Sequence, residues 1–287
     1  MKPYPVPPAF TGLAGLAGVA ARFIATTGRA RSNHALFDAV EACCTFVGYP
    51  RSGHTLVGAL LDAHRHTVIG FERAALLHVR AGFDRDRLYQ MLLDSATRGG
   101  PSRWVSGPYH YHVPGQWQGR FDCLRIIGDK QAEGATLRLR AAPRLLTRLQ
   151  RLVRQPRFVH VVRNPFDNIT TIAIRAAHGG SPDLDSAADR YFRLSDTVRW
   201  ITTRTDPGQV LTIRHEDFVH DPRRELAVLC AWLGLDSPPD YLDDCAAIVR
   251  DRPNPSRLRV PWSRERIESV QRRIDAFNHL RGYSFES

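Results

Sequence analysis

GYPRSGHT, running from Gly48 to Thr55, sets an arginine and a serine inside a turn bounded by glycines, with a histidine and a threonine just after it. The spacing fits the phosphate-binding pattern G-x-x-x-x-G-K-[ST] at both glycines and at the final threonine. His54 stands where the lysine belongs, and Arg51 comes three residues earlier. A strand, a glycine turn and a helix start gather backbone N–H groups around one concavity at the positive end of the helix. That geometry holds an anion with or without the lysine. In triphosphatases the lysine reaches the β- and γ-phosphates beside Mg²⁺; Arg51 instead suits a single phosphate or sulfate through a forked contact. The competing reading is a bare glycine turn joining strand to helix.

A second stretch, VVRNPFDNITT, puts Arg163 at the end of a strand-like run and lets Asn164-Pro165 open a helix that carries Thr170 and Thr171 in its second turn. Ligands of open α/β sheets bind at that edge, so Arg163 and a helix hydroxyl could hold a second phosphate. The alternative is a capped helix with Asp167 facing its positive end.

Short apolar β-branched runs alternate with longer helical patterns, which predicts an α/β fold. CCTFVGY, TVIGFE, CLRIIGDK, RFVHVVR and VLTIRHEDF read as strands; TLVGALLDAH and RRELAVLCAWLGL read as helices, with a last helix near Ser263–Leu280. With GYPRSGHT after the first strand, the architecture is a P-loop-type three-layer fold, a central, mainly parallel sheet flanked by helices. Residues 99–121, rich in aromatics and turn formers, form an inserted loop or hairpin. Phe10 to Ala25 is apolar but short of the ~18 residues a spanning helix needs, so a helix lying on the domain or touching a membrane surface is expected.

Lys and Arg outnumber Asp and Glu by 40 to 29, a formal charge of +11, which favours anionic partners. No basic arm, zinc finger or aromatic-basic signature points to nucleic acid. Five cysteines without C-x-x-C spacing fit buried, reduced thiols and a cytoplasmic location. His64 and His66 find no third ligand at a recognisable spacing, so no metal site is expected.

Together, GYPRSGHT and VVRNPFDNITT resemble the sulfotransferase superfamily, whose first loop has the form [GxP][KR]SGTT and whose second motif is R-[ND]-P-x-[DA]-x-x-x-[ST]. Two departures stand out: His54 replaces a threonine, and Thr171 replaces a serine. RSGHTLVGALLDAHRHTVIGFE further resembles the tyrosylprotein sulfotransferases, where arginine also replaces lysine in the loop. The resemblance implies an activated sulfate donor, 3′-phosphoadenosine-5′-phosphosulfate, with no metal. It implies donor contacts from Arg51, Ser52, Gly53, His54, Thr55, Leu56, Arg163 and Thr171, and more loosely from Arg257 and Arg259 in a C-terminal loop that closes over the cofactor. Glu72 falls at the catalytic glutamate and Lys130, in IGDK, at the catalytic lysine. On this reading residues 1–42 are an N-terminal helical extension and residues 43–287 the sulfotransferase domain, with 250–287 as the cofactor-closing segment and helix.

The reaction so implied is in-line transfer of a sulfuryl group to a hydroxyl or amine of an unidentified acceptor, for which a base must take a proton. Glu72 is the first choice, against a salt bridge to Arg73 or another arginine. His110 and His112, on one face if YHYH is a strand, are rival bases. Trp104, Tyr109, Tyr111 and Trp117 are candidates for an acceptor wall or for a local aromatic cluster. Two other classes remain open, a P-loop kinase or NTPase and a non-catalytic nucleotide or sulfated-glycan binder. A peripheral membrane contact through the N-terminal helix and a homodimer also stay open.

Overall fold

The computed structural model describes residues 13–106, 109–250 and 252–287. Its strands are β1 (Ala42–Gly48), β2 (Thr67–Phe71), β3 (Val105–Ser106), β4 (Tyr109–His110), β5 (Ile126–Lys130), β6 (Pro156–Val162) and β7 (Val210–Arg214). The helices begin with α1 (Leu13–Ser32), α2 (His34–Asp38), α3 (His54–Asp62), α4 (Ala75–Arg80), α5 (Arg85–Gly99), α6 (Glu133–Ala141) and α7 (Arg144–Leu152). They continue with α8 (Pro165–Ala176), α9 (Leu184–Thr202), α10 (His215–His220), α11 (Pro222–Trp232), α12 (Pro239–Ala247) and α13 (Arg264–Asp275).

Five strands form one parallel sheet in the order β2-β5-β1-β6-β7. β1 lies at its centre and is buried along its whole length, as a parallel strand covered on both faces must be. Its alternating side chains divide between the two layers. Cys43 and Val47 pack with α4, α5 and α7, whereas Ala42, Cys44 and Phe46 pack with α3, α11 and α12. This is the expected three-layer α/β architecture.

The chain leaves β1 toward β2 on one side of the sheet and leaves β6 toward β7 on the other. The crevice at the carboxyl ends of these two neighbours is therefore a topological switch point, and both motif loops open there. One expected strand is shorter than its apolar run suggests. β7 ends at Arg214 and HEDFVH turns into α10, where Glu216 and Asp217 in the first turn suit the positive helix end.

α1 lies along α5, with Arg29 Nη1 2.6 Å from Asp94 Oδ1, Asn33 Nδ2 2.8 Å from Gln90 Oε1 and Phe23 edge-on to Phe83. Residues 10–12 of the expected N-terminal helix, Gly107 and Pro108 of the insert and Asp251 lie outside the described residues. Among the described residues no helix is long and apolar enough to cross a membrane. β3 and β4 pair antiparallel, making the insert a small hairpin. All five cysteines are free thiols, four of them buried.

Candidate active site

The first loop is built from residues in left-handed backbone. Gly48, Arg51 and Gly53 have φ of 118°, 65° and 95°. Gly53 is the N-cap of α3, and a Cβ there would clash with the ring of His215, closest to its Nδ1, so both conformation and space require glycine. The Gly48 N–H donates to Thr136 Oγ1 at 2.7 Å, anchoring the loop to α6. Ser52 is fully buried; its hydroxyl donates to Tyr49 O at 3.2 Å and lies 3.4 Å from His54 Nδ1. Ser52 therefore shapes the loop from beneath. Burial, with the charges of Lys130 and Arg51, holds the His54 ring well below the usual histidine range. The residue at the lysine position of this loop is neutral.

The second loop crosses the first. Arg163 leaves β6 with Nη1 donating to Arg51 O at 3.4 Å and Nη2 donating to Asn254 O and, at 3.1 Å, to Ser256 Oγ. Asn168 Nδ2 donates to Pro50 O at 2.7 Å. Asn164 caps α8 by accepting the Phe166 N–H at 2.9 Å. Thr171 donates to Asp167 O at 2.8 Å. Asp167 does not face a bare helix end, because the backbone N–H and the Nη1 of Arg257 each bind its carboxylate at 2.7 Å. Arg257, with Nη2 on Ser287 O at 2.6 Å, is thus a strut behind the loop and not part of the cavity wall.

Glu72 and Lys130 meet at the end of the neighbouring pair β2 and β5. Lys130 Nζ donates to Glu72 Oε1 at 2.9 Å and to Thr55 Oγ1 at 3.3 Å, and sits 3.7 Å over the Phe71 ring. The lysine side chain is wholly buried, while Glu72 is 53% exposed. Burial lowers the Lys130 pKa, with Glu72 pulling it back up. Gly58 on α3 makes room: a Cβ there would come within 2.8 Å of Lys130 Cγ. Glu72 is ion-paired as the competing reading supposed, but its partner is Lys130 and not Arg73.

Both loops and Glu72 open onto one cavity of about 750 Å³, with Lys130 buried behind Glu72. Arg51, Gly53, His54, Thr55, Leu56, Glu72, Arg163, Thr171 and Arg259 line it, and Ser52, Lys130, His112 and Arg257 do not. Tyr109 and Tyr111 stack 6.2 Å apart on its wall, with Arg250 over Tyr109 at 4.4 Å. His110 lines the cavity from an exposed position, whereas His112 lies beyond the two-residue strand. Trp104 is a core residue, its Nε1 on Asp62 Oδ2 at 3.0 Å, and Trp117 stays outside the wall. Sequence reasoning missed Arg138, Arg175, Arg250, Arg252 and His215, all of which line the cavity. Single arginines in helices and loops carry no spacing signal, and reading VLTIRHEDF as one strand hid that His215 starts a helix at the strand's end.

The arrangement and the chain's similarities agree. A family model described as the sulfotransferase family matches residues 45–239. Among solved structures, the chain is similar to the sulfotransferase domain from the curacin biosynthetic pathway, at 15% identity and a TM-score of 0.53, covering 83% of this chain and 97% of that one. It is similar to the sulfotransferase domain of the Synechococcus PCC 7002 olefin synthase, at 15% identity and a TM-score of 0.52, covering 83% and 94%. It is also similar to sulfotransferase STF9 from Mycobacterium avium, at 13% identity and a TM-score of 0.50, covering 88% and 81%. No curated protein matches the chain. The chain belongs to the sulfotransferase family, an enzyme class that moves sulfuryl groups.

Proposed function

We propose that the cavity takes 3′-phosphoadenosine-5′-phosphosulfate and that the protein passes its sulfuryl group in line to a hydroxyl or amine of an acceptor. The observation that carries this reading is the convergence of Arg51 and Arg163 on one cavity. Its volume of about 750 Å³ is in the range of small-molecule sites. The residues present fit the donor. Arg163 is buried with its Nε unpartnered, which supports an anionic ligand completing its contacts. When bound, the donor supplies a sulfuryl group activated by a phosphosulfate anhydride.

The chain's own work is positioning and charge neutralisation. Arg51 and the N–H groups at the start of α3 hold the oxygens at one end, and Arg163, Thr171 and Arg259 hold those of the second phosphate. Glu72, bonded to Lys130 through Oε1, takes the acceptor proton on a carboxylate oxygen. Lys130, a dry ammonium in hydrogen-bond reach of Thr55, neutralises negative charge growing on the bridging oxygen. A neutral His54 cannot supply the clamp a γ-phosphate needs, so the kinase reading gains nothing here.

Thermal unfolding with nucleotides tests the donor assignment. 3′-Phosphoadenosine-5′-phosphate should stabilise the protein by about 2.7 kcal/mol at a hundredfold excess over its Kd, and adenosine-5′-phosphate should protect far less. Equal protection by the two would remove the role given to Arg163 and Thr171. Labelled donor offered to fractionated extracts then identifies the acceptor.

A further inference from the structure

The turn that carries Glu72 is held in a backbone conformation its own residues disfavour. Glu72 and Ala74 have φ of 53° and 58°, left-handed values that a side chain with a Cβ resists. Neither is glycine, so the conformation must be imposed from outside. Asp129 imposes it: Oδ1 accepts the Arg73 N–H at 2.9 Å and Oδ2 accepts the Ala75 N–H at 2.8 Å. This carboxylate is 3% exposed and stands next to Lys130 on β5. From the other side the Glu72 N–H donates to Lys130 O at 3.0 Å. The turn is therefore stitched to residues 129 and 130 at both ends.

We propose that Asp129 is a positioning residue for the site: by locking this left-handed turn it delivers the Glu72 carboxylate to Lys130 Nζ. The inference rests on the Glu72–Lys130 pair being the proton-handling pair of the proposed reaction. Asparagine at this position would keep one acceptor but aim an N–H₂ at one of the two amides, so that one end of the turn is released.

The sequence itself provides a reporter. Lys2 and Lys130 are its two lysines, so the NMR titration of ¹³C,¹⁵N-labelled lysine in the full chain follows Lys130 against a single other side chain. Three charges bear on that ammonium, and Glu72 outweighs Asp129; both raise its pKa, while Arg51 lowers it and neighbouring His54 is neutral. Glu72→Gln should move the Lys130 midpoint to lower pH. Asp129→Asn should move it the same way by at least half as much, and should add little in the Glu72→Gln background, because its effect runs through Glu72. Ala74→Gly, which takes left-handed backbone freely, should bring the Asp129→Asn midpoint back toward wild type.

Additive shifts in the double variant, or no recovery with Ala74→Gly, would overturn the proposal; Asp129 would then act through its own charge alone. If Asp129→Asn does not fold, Asp129→Ser keeps one acceptor without an amide donor and is read in the same way. Protection by 3′-phosphoadenosine-5′-phosphate should be unchanged in each variant. Loss of that protection in the wild type would instead strike the donor assignment and leave the titration result standing. Once an acceptor is in hand, Asp129→Asn should lower kcat about 10- to 100-fold at unchanged KM for the donor.

Discussion

Lys130 carries an ammonium with no exposed surface, bonded to a carboxylate that is half in water. The pair divides its labour by solvation: the buried member is fixed and the exposed member is free to meet an acceptor. Glu72→Gln keeps shape and removes the base, so transfer should fall by about 10²- to 10⁴-fold while 3′-phosphoadenosine-5′-phosphate still protects against unfolding. Retained turnover would move the base to His110, which lines the cavity. The two loops were legible in the sequence through motif spacing, and Glu72 and Lys130 through the resemblance those loops carry. The pairing itself was not, since Glu72 and Lys130 lie 58 positions apart and no local pattern reports a contact between neighbouring parallel strands. Asp129 was hidden for the same reason. Its partners are backbone amides, which every residue but proline owns.

At the scale of elements, each loop depends on a special start to the helix that follows. Gly53→Ala forces a Cβ into left-handed backbone and against His215, which should destabilise the fold by about 1–3 kcal/mol and weaken nucleotide protection. Denaturation with and without the nucleotide separates the two effects. Asn164→Ala removes the cap of α8, worth about 1 kcal/mol, and also frees Ser284 and Ser287, whose backbone oxygens Asn164 Nδ2 binds at 2.9 and 3.1 Å. A Tm fall in Asn164→Ala no larger than in an ordinary surface substitution would contradict this. β1 and β6 could be read from sequence because buried parallel strands are continuous apolar runs closed by glycine or Asn-Pro. The order of strands could not, as it follows from crossover packing. The hairpin of the insert was foreseen only as a loop or hairpin, its strands being too short to show a period.

For the whole molecule the dominant titration is that of buried histidine. Burial lowers His78, His215 and His279 to about 4 from the ordinary 6.5, and His54 and His160 well below it. Each is neutral in the folded protein, while the unfolded chain takes up protons as pH drops below 6.5. Stability contributed by these rings is therefore complete above that value and is lost as pH falls toward 4. Asp62, Asp129 and Asp167, raised by burial, act in the opposite sense above 3.8, and the histidine window runs from pH 6.5 down toward 4. Scanning calorimetry should show Tm falling across it, and a flat profile would contradict the assignment.

The ties from Asn168 to Pro50 and from Arg163 to Arg51 bear on how ligands assemble in this cleft. Because two side chains of the second loop are fastened to the backbone of the first, order gained at one end is handed to the other. Two molecular fragments, one seated at Arg51 and one at Arg163, should consequently bind with synergy: the first to arrive bears the entropy of stiffening both loops, and the second finds its seat already made.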